Sequence, residues 1–204
     1  MGGSRAARAA AAQLAGLVTL ALASGCGPSA GAKAPVGASV VASNVQGPAG
    51  AVLAQVCTPT GPELCFNAID DNCNGVIDEG CGVPTGVLQF TLAWTGTAEV
   101  DLVLVTPAKE RVPDGRTRST TTGFELDRDC PQDGCGGQNL ENIHYDGAEP
   151  PRGHYVVEIN LGDLHDTAAP VVAHFGARLG TRTVGFDVSL TPGDDARQKF
   201  AFDL

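Results

Sequence analysis

From Gly86 onward apolar side chains recur at every second position, and this period limits the possible folds more than any other feature of the chain. Leu88, Phe90, Leu92 and Trp94 share one face, with Gln89, Thr91 and Ala93 opposite. The pattern returns at Tyr155, Val157, Ile159 and Leu161, at Val184, Phe186, Val188 and Leu190, and at Phe200, Phe202 and Leu204. Side chains alternate between the two faces of a strand, so each run predicts a half-buried strand. Val100 to Val105 is apolar on both faces apart from Asp101, and Pro170 to Phe175 predicts a sixth strand. Turn residues separate the runs, among them Pro113-Asp114-Gly115 and Pro192-Gly193, and no stretch has a helical period. The expected fold class is all-β, with an antiparallel β-sandwich over residues 86–204.

Cys57 to Cys81 has a different character. Its four cysteines, Cys57, Cys65, Cys73 and Cys81, stand at even intervals among five acids (Glu63, Asp70, Asp71, Asp78, Glu79), with no Lys or Arg. Such a segment is too short for an ordinary core, and in an oxidising compartment disulfides replace the missing burial. Residues 57–82 are therefore read as a small disulfide-rich module. Four cysteines allow three pairings, and sequence does not choose among them.

Within the module, Asp70-Asp71-Asn72-Cys73-Asn74-Gly75-Val76-Ile77-Asp78-Glu79-Gly80-Cys81 has the spacing of a calcium loop. Counting from Asp70, oxygen-bearing side chains fall at positions 1, 3 and 5 (Asp70, Asn72, Asn74), glycine at 6, the Val76 carbonyl at 7 and Asp78 at 9. Calcium takes six to eight hard oxygens, and glycine at position 6 permits the sharp turn. Position 12, where the bidentate glutamate of an EF-hand belongs, is Cys81. That ligand must then be Asp78 or Glu79, or come from outside the loop. Two Asn among the first three ligands keep the charge low, which places affinity in the extracellular range of roughly 10⁻⁴ to 10⁻³ M.

The run from Glu63 to Cys81 also resembles the metal-binding repeat of the MopE type, frequent in exported proteins of myxobacteria. That repeat is named after a copper-binding surface protein. Asn67 and Ala68 depart from its usual Asp or Asn followed by Gly. Copper is what the name implies, but hard oxygen ligands beside oxidised cysteines favour calcium.

The first 25 residues read as a secretory signal: Arg5 and Arg8 precede an apolar run from Ala9 to Ala23. An apolar core of about 15 residues suits a cleaved signal better than a membrane span. Leu22-Ala23-Ser24-Gly25-Cys26 resembles a bacterial lipobox, with Ala23 where Leu is usual. Lipidation of Cys26 is expected, with plain secretion as the alternative. The chain has seven cysteines, and giving one to a lipid leaves an even number to pair. Residues 26–56, rich in Gly, Ala, Pro, Ser and Val, are expected to form a flexible tether.

Asp101 interrupts an apolar strand, which is costly for a carboxylate unless it is paired or metal-bound. Cys130 and Cys135 can close a tight loop beside Asp127 and Asp129, and Glu141-Asn142 follows closely. Asp101, Asp127, Asp129, Glu141 and Asn142 form a candidate second metal site at one end of the sandwich. Trp94, Asp101-Leu102, Asp127 to Asp129, Glu141 to Ile143 and Gly153 to Tyr155 resemble the pattern of YfaP-like β-sandwiches of exported bacterial proteins. That resemblance implies a fold and a location, not a reaction.

Acids outnumber Lys and Arg by 23 to 13, for a net charge of −10. Such a surface repels phosphate backbones, which argues against nucleic acid and for divalent cations. No Gly-x-Ser-x-Gly is present, and the histidines (His144, His154, His165, His174) are scattered and read as surface or strand-end residues. The function expected from these features is a lipid-anchored, calcium-binding module of the cell envelope for binding or adhesion, without catalysis. Its partners would be the membrane, through the lipid, and a protein or glycan at the cell surface. The alternative is a metal-dependent hydrolase of cell-wall or carbohydrate polymers, which predicts turnover lost on Asp127→Ala.

Overall fold

The computed structural model describes residues 39–54, 57, 59, 61–113, 122–131, 135 and 137–204. The expected signal at 1–25, Cys26 and the turn residues Asp114 and Gly115 lie outside the described residues.

The alternating runs become strands. In chain order these are β1 (Ser43–Gln46), β2 (Leu88–Thr95), β3 (Val100–Val105), β4 (Arg111–Val112), β5 (Phe124–Arg128), β6 (Gln138–Tyr145), β7 (His154–Leu161), β8 (Val171–Leu179), β9 (Arg182–Leu190) and β10 (Arg197–Asp203). They form two five-stranded sheets, ordered β1-β10-β7-β3-β4 and β5-β6-β2-β8-β9. All pairings are antiparallel. The inward faces are the ones the period predicts: Leu88, Phe90, Leu92 and Trp94 meet Leu102, Leu104, Tyr155, Val157, Ile159, Phe186, Phe200 and Phe202 in one core. Tyr155 stacks on Phe202 with ring centroids 4.9 Å apart. The Tyr155 hydroxyl donates to the Pro151 carbonyl, which pairs the one polar atom this ring carries.

The tether is shorter than its composition suggests. Val40 is buried in the core, and β1 pairs with β10 through Ser43↔Asp203 and Gln46↔Ala201. Ala54 exchanges both backbone hydrogen bonds with Gly185 of β9, at 3.1 and 2.8 Å. Residues 39–54 therefore belong to the folded body. They hold by main-chain pairing, by the buried Val40 and by Ala42, Val45, Ala51 and Leu53, which pack against the core, a mode of attachment that composition does not reveal.

A second departure concerns the face of β2 opposite the core. Gln89, Thr91 and Ala93 are buried, as are Leu140, Asn142 and His144 of β6, although half-buried strands were expected. The cysteine-rich module covers them as a third layer. Ala68, Val83, Ala93 and Leu140 form a small apolar cluster of their own, with Phe66 and Cys81 packed against it. Gly176 of β8 makes the contact possible, because a Cβ there would stand 2.0 Å from the Ala68 carbonyl oxygen. Arg128 lies over the Phe66 ring, 4.8 Å from its centroid. The polar row beneath is bonded within the layer except at Gln89 Oε1, which is buried with no partner among the described residues: Gln89 Nε2 donates to the Ile77 carbonyl and to Asn142 Oδ1, each at 3.1 Å, and Thr91 Oγ1 donates to Asn142 Oδ1 at 2.9 Å.

Candidate metal centre

Two disulfides frame the module, Cys57–Cys73 and Cys65–Cys81, so the first cysteine pairs with the third and the second with the fourth. Interlacing closes two overlapping loops, and this holds a short segment that lacks a core of its own. Gly75 adopts φ +85°, the left-handed turn its position in the loop calls for.

Asp70 opens the loop and is buried. Its Oδ1 accepts the Asn74 N–H at 3.0 Å, and its Oδ2 accepts the Gly75 N–H at 2.9 Å and the Thr183 hydroxyl at 3.0 Å. Asn72 Oδ1 accepts the Asn74 N–H and Asn74 Oδ1 the Val76 N–H, at 3.0 and 2.9 Å. Each of these two side-chain oxygens carries one such bond and keeps a second lone pair. The side-chain amides of Asn72 and Asn74 both donate to Glu79 Oε1. Glu79 Oε2 is buried and has no hydrogen-bond partner among the described residues.

Asp78, at loop position 9, faces elsewhere. Its Oδ1 accepts the N–H groups of Phe66 and Asn67, and its Oδ2 accepts that of Ala68. Burial pushes its carboxyl above the ordinary value, against those three donors. Asp78 therefore ties the loop to the preceding turn, and Glu79 is the acid that faces the loop amides.

Glu63 stands outside the loop spacing, so no rule of position singles it out. Its Oε1 accepts the Asp78 N–H at 2.8 Å and its Oε2 accepts the Asp71 N–H at 3.2 Å. Burial, followed by the charge of Glu79, pushes its carboxyl up to about 7. Arg178 of β8 feels the charges of Asp70 and Glu79: burial lowers its guanidinium while these two acids hold it up.

The donor set fits a hard cation by its chemistry. Every candidate atom is an oxygen, the neighbouring sulfurs are all in disulfides, and Glu79 Oε2 is a buried carboxylate oxygen without a proton donor among the described residues, which is costly to leave unmatched. Among the described residues no three His, Cys, Asp or Glu side chains stand together as a metal shell. A cation at this loop would draw on the Asn oxygens and the Val76 carbonyl as well as on Asp70 and Glu79.

The five residues of the candidate second site divide between two places. Glu141 is buried at the end of the core, with its Oε2 accepting the Leu102 N–H at 2.5 Å. Burial holds its carboxyl well above the usual range against that donor, and the charges of Asp101 and Asp129 add to the rise. Asp101 is raised by burial and by Glu99 and Asp129. Asp127 and Asn142 lie on the opposite, module-covered face, where Asn142 Nδ2 donates to Asp127 Oδ1 at 2.6 Å and His144 Nδ1 lies 3.3 Å from the same oxygen. A β-bulge separates the two groups, since the register runs Leu126↔Ile143 and then Arg128↔Asn142.

His144 is correspondingly buried rather than a surface residue. His154 and His174 each lie 2.7 Å from an aspartate, Asp203 and Asp187. Thr183, Gln89 and Gly176 support the module from the sandwich. Nothing in the local sequence marks them, because their partners are distant in the chain.

Compared with known proteins, the chain matches no family model, no curated protein and no solved structure.

Proposed function

We propose that this protein is an exported, lipid-anchored surface module that binds calcium and serves binding or adhesion rather than catalysis. The observation that carries the reading is the Glu79 carboxylate, one oxygen on the Asn72 and Asn74 amides and the other buried without a partner among the described residues, inside a disulfide-framed loop of calcium spacing. Calcium would supply positive charge to oxygens that otherwise repel or stand unmatched, and so clip the module shut. Asp70, Asn72, Asn74, the Val76 carbonyl and Glu79 are the residues that would hold it, with Asp78 keeping the loop in shape.

Export and anchoring rest on the signal-like N-terminus and the lipobox-like Cys26, supported by the three disulfides, which suit an oxidising compartment. The cell envelope is the expected location. A single acyl chain anchors only marginally, whereas a lipoprotein cysteine carrying two or more holds stably.

Thermal unfolding of the oxidised protein in calcium and in EDTA tests the ion. At a hundredfold excess over Kd the bound state gains about 2.7 kcal/mol. For a chain of this size that corresponds to a rise in Tm of roughly 5–10 °C. Glu79→Gln should remove most of the rise. Coincident melting curves for the native protein in both buffers would dismiss calcium.

A further inference from the structure

Asp70 and Thr183 lie 113 positions apart, yet they share a buried hydrogen bond of 3.0 Å. Thr183 is on the face of β9 turned away from the core, and it is only 7 % exposed because the module covers it. The remainder of the seat is close fitting. A Cβ at Gly75 would come within 3.1 Å of the Thr181 carbonyl oxygen, and Gln89 holds the Ile77 carbonyl from β2.

The two oxygens of Asp70 have different tasks. Oδ2 receives two donors, the Gly75 N–H and the Thr183 hydroxyl, which fill its two lone pairs. Oδ1 receives only the Asn74 N–H and keeps one lone pair. Both oxygens meet loop amides, and the threonine holds the carboxylate from the sandwich side so that Oδ1, on the Asn74 N–H, is the oxygen left with spare capacity. A ligand's outer hydrogen-bond partner commonly governs affinity in this way, by orienting the ligand before the ion arrives.

We propose that Thr183 is a positioning residue for the cation loop: its hydroxyl orients Asp70 from the sandwich, so that ion binding and the seating of the module on the sheet are coupled. This inference rests on the calcium reading above. It makes the site a joint product of two parts of the chain, a short acidic loop and a strand more than a hundred residues later.

The test is calcium titration by calorimetry on the oxidised full-length fold, comparing the native protein with Thr183→Val, Thr183→Ser and Thr183→Ala, each also melted in EDTA. Valine keeps the shape and loses the hydroxyl, so its Kd should rise roughly tenfold or more. Serine keeps the hydroxyl and should remain within about threefold of the native value. Alanine provides the same comparison should valine fail to fold. A merely structural threonine would lower the EDTA melting temperature in the valine and alanine variants and leave Kd unchanged, which would overturn the proposal. Equal weakening by serine and valine would also overturn it, because the hydroxyl would then not be the cause. If the native protein itself takes up no calcium, the underlying reading fails, and that outcome is distinct from failure of the threonine's role.

Discussion

The carboxylate of Asp78 sits on the backbone of Phe66, with Oδ1 2.6 Å from the amide nitrogen, across twelve positions of chain. The same side chain receives the N–H groups of Asn67 and Ala68. Phe66 and Ala68 both have positive φ, 65° and 62°, and this winding presents successive N–H groups to one anion. Asp78→Ala leaves three donors without their acceptor, and stability should fall by about 3 kcal/mol or more in urea denaturation. The loss should already be seen in EDTA, because this carboxylate is occupied by the backbone and acts before any ion is bound.

Gly176 provides the room in which the module seats. Gly176→Ala places a methyl 2.0 Å from the Ala68 carbonyl oxygen, and neither backbone can yield cheaply. A loss of about 1–3 kcal/mol is expected. Hydrogen exchange would localise it, with faster exchange at Phe66 to Ala68 and near-native protection at β7 and β10.

The Cys65–Cys81 bridge closes a loop with a sequence separation of 16. Replacing both cysteines with serine should cost about 3 kcal/mol by the chain-entropy argument. Calcium uptake should fall in the same variant, since Glu79 is held close to Cys81. Denaturation and titration of the double variant check both parts.

Glu141 makes stability depend on pH. Burial is the chief reason its carboxyl stands well above 4.5; the Leu102 N–H opposes the rise and Asp101, Asp129 and Glu99 reinforce it. A carboxyl that holds its proton more tightly when folded stabilises the fold below the unfolded value, and this contribution is lost as pH rises through the folded one. The melting temperature should therefore decline from about pH 4.5 upward as this group is forced to ionise. Glu141→Gln keeps an oxygen for Leu102 without the charge. It should flatten the decline and melt higher than the native protein in mildly alkaline buffer.

How much of this was legible in the sequence depends on what each strand faces. β2, β7, β9 and β10 put apolar residues on one face and polar ones on the other, so period-2 alternation exposes them. β6 does not read as a strand, because Ile143 faces the core while Leu140 packs under the module, and Glu141 occupies a core-side position. β1 has only Val45 to offer and holds by pairing with β10. At the candidate metal centre the spacing from Asp70 to Glu79 was readable. The diversion of Asp78 to backbone donors was not, nor was the part played by Glu63 and Thr183, since loop-position rules count residues and carry no information on what folds back over them.

The central claim is that the loop opening at Asp70 takes up a hard cation within a disulfide-framed module. Calorimetric titration of the oxidised protein with calcium, followed by zinc and copper, addresses it most directly. The account predicts one saturable calcium site with Kd of roughly 10⁻⁴ to 10⁻³ M, lost in Glu79→Gln. Absence of calcium heat, or tight zinc or copper uptake by a form with free thiols at Cys57, Cys65, Cys73 and Cys81, would contradict it.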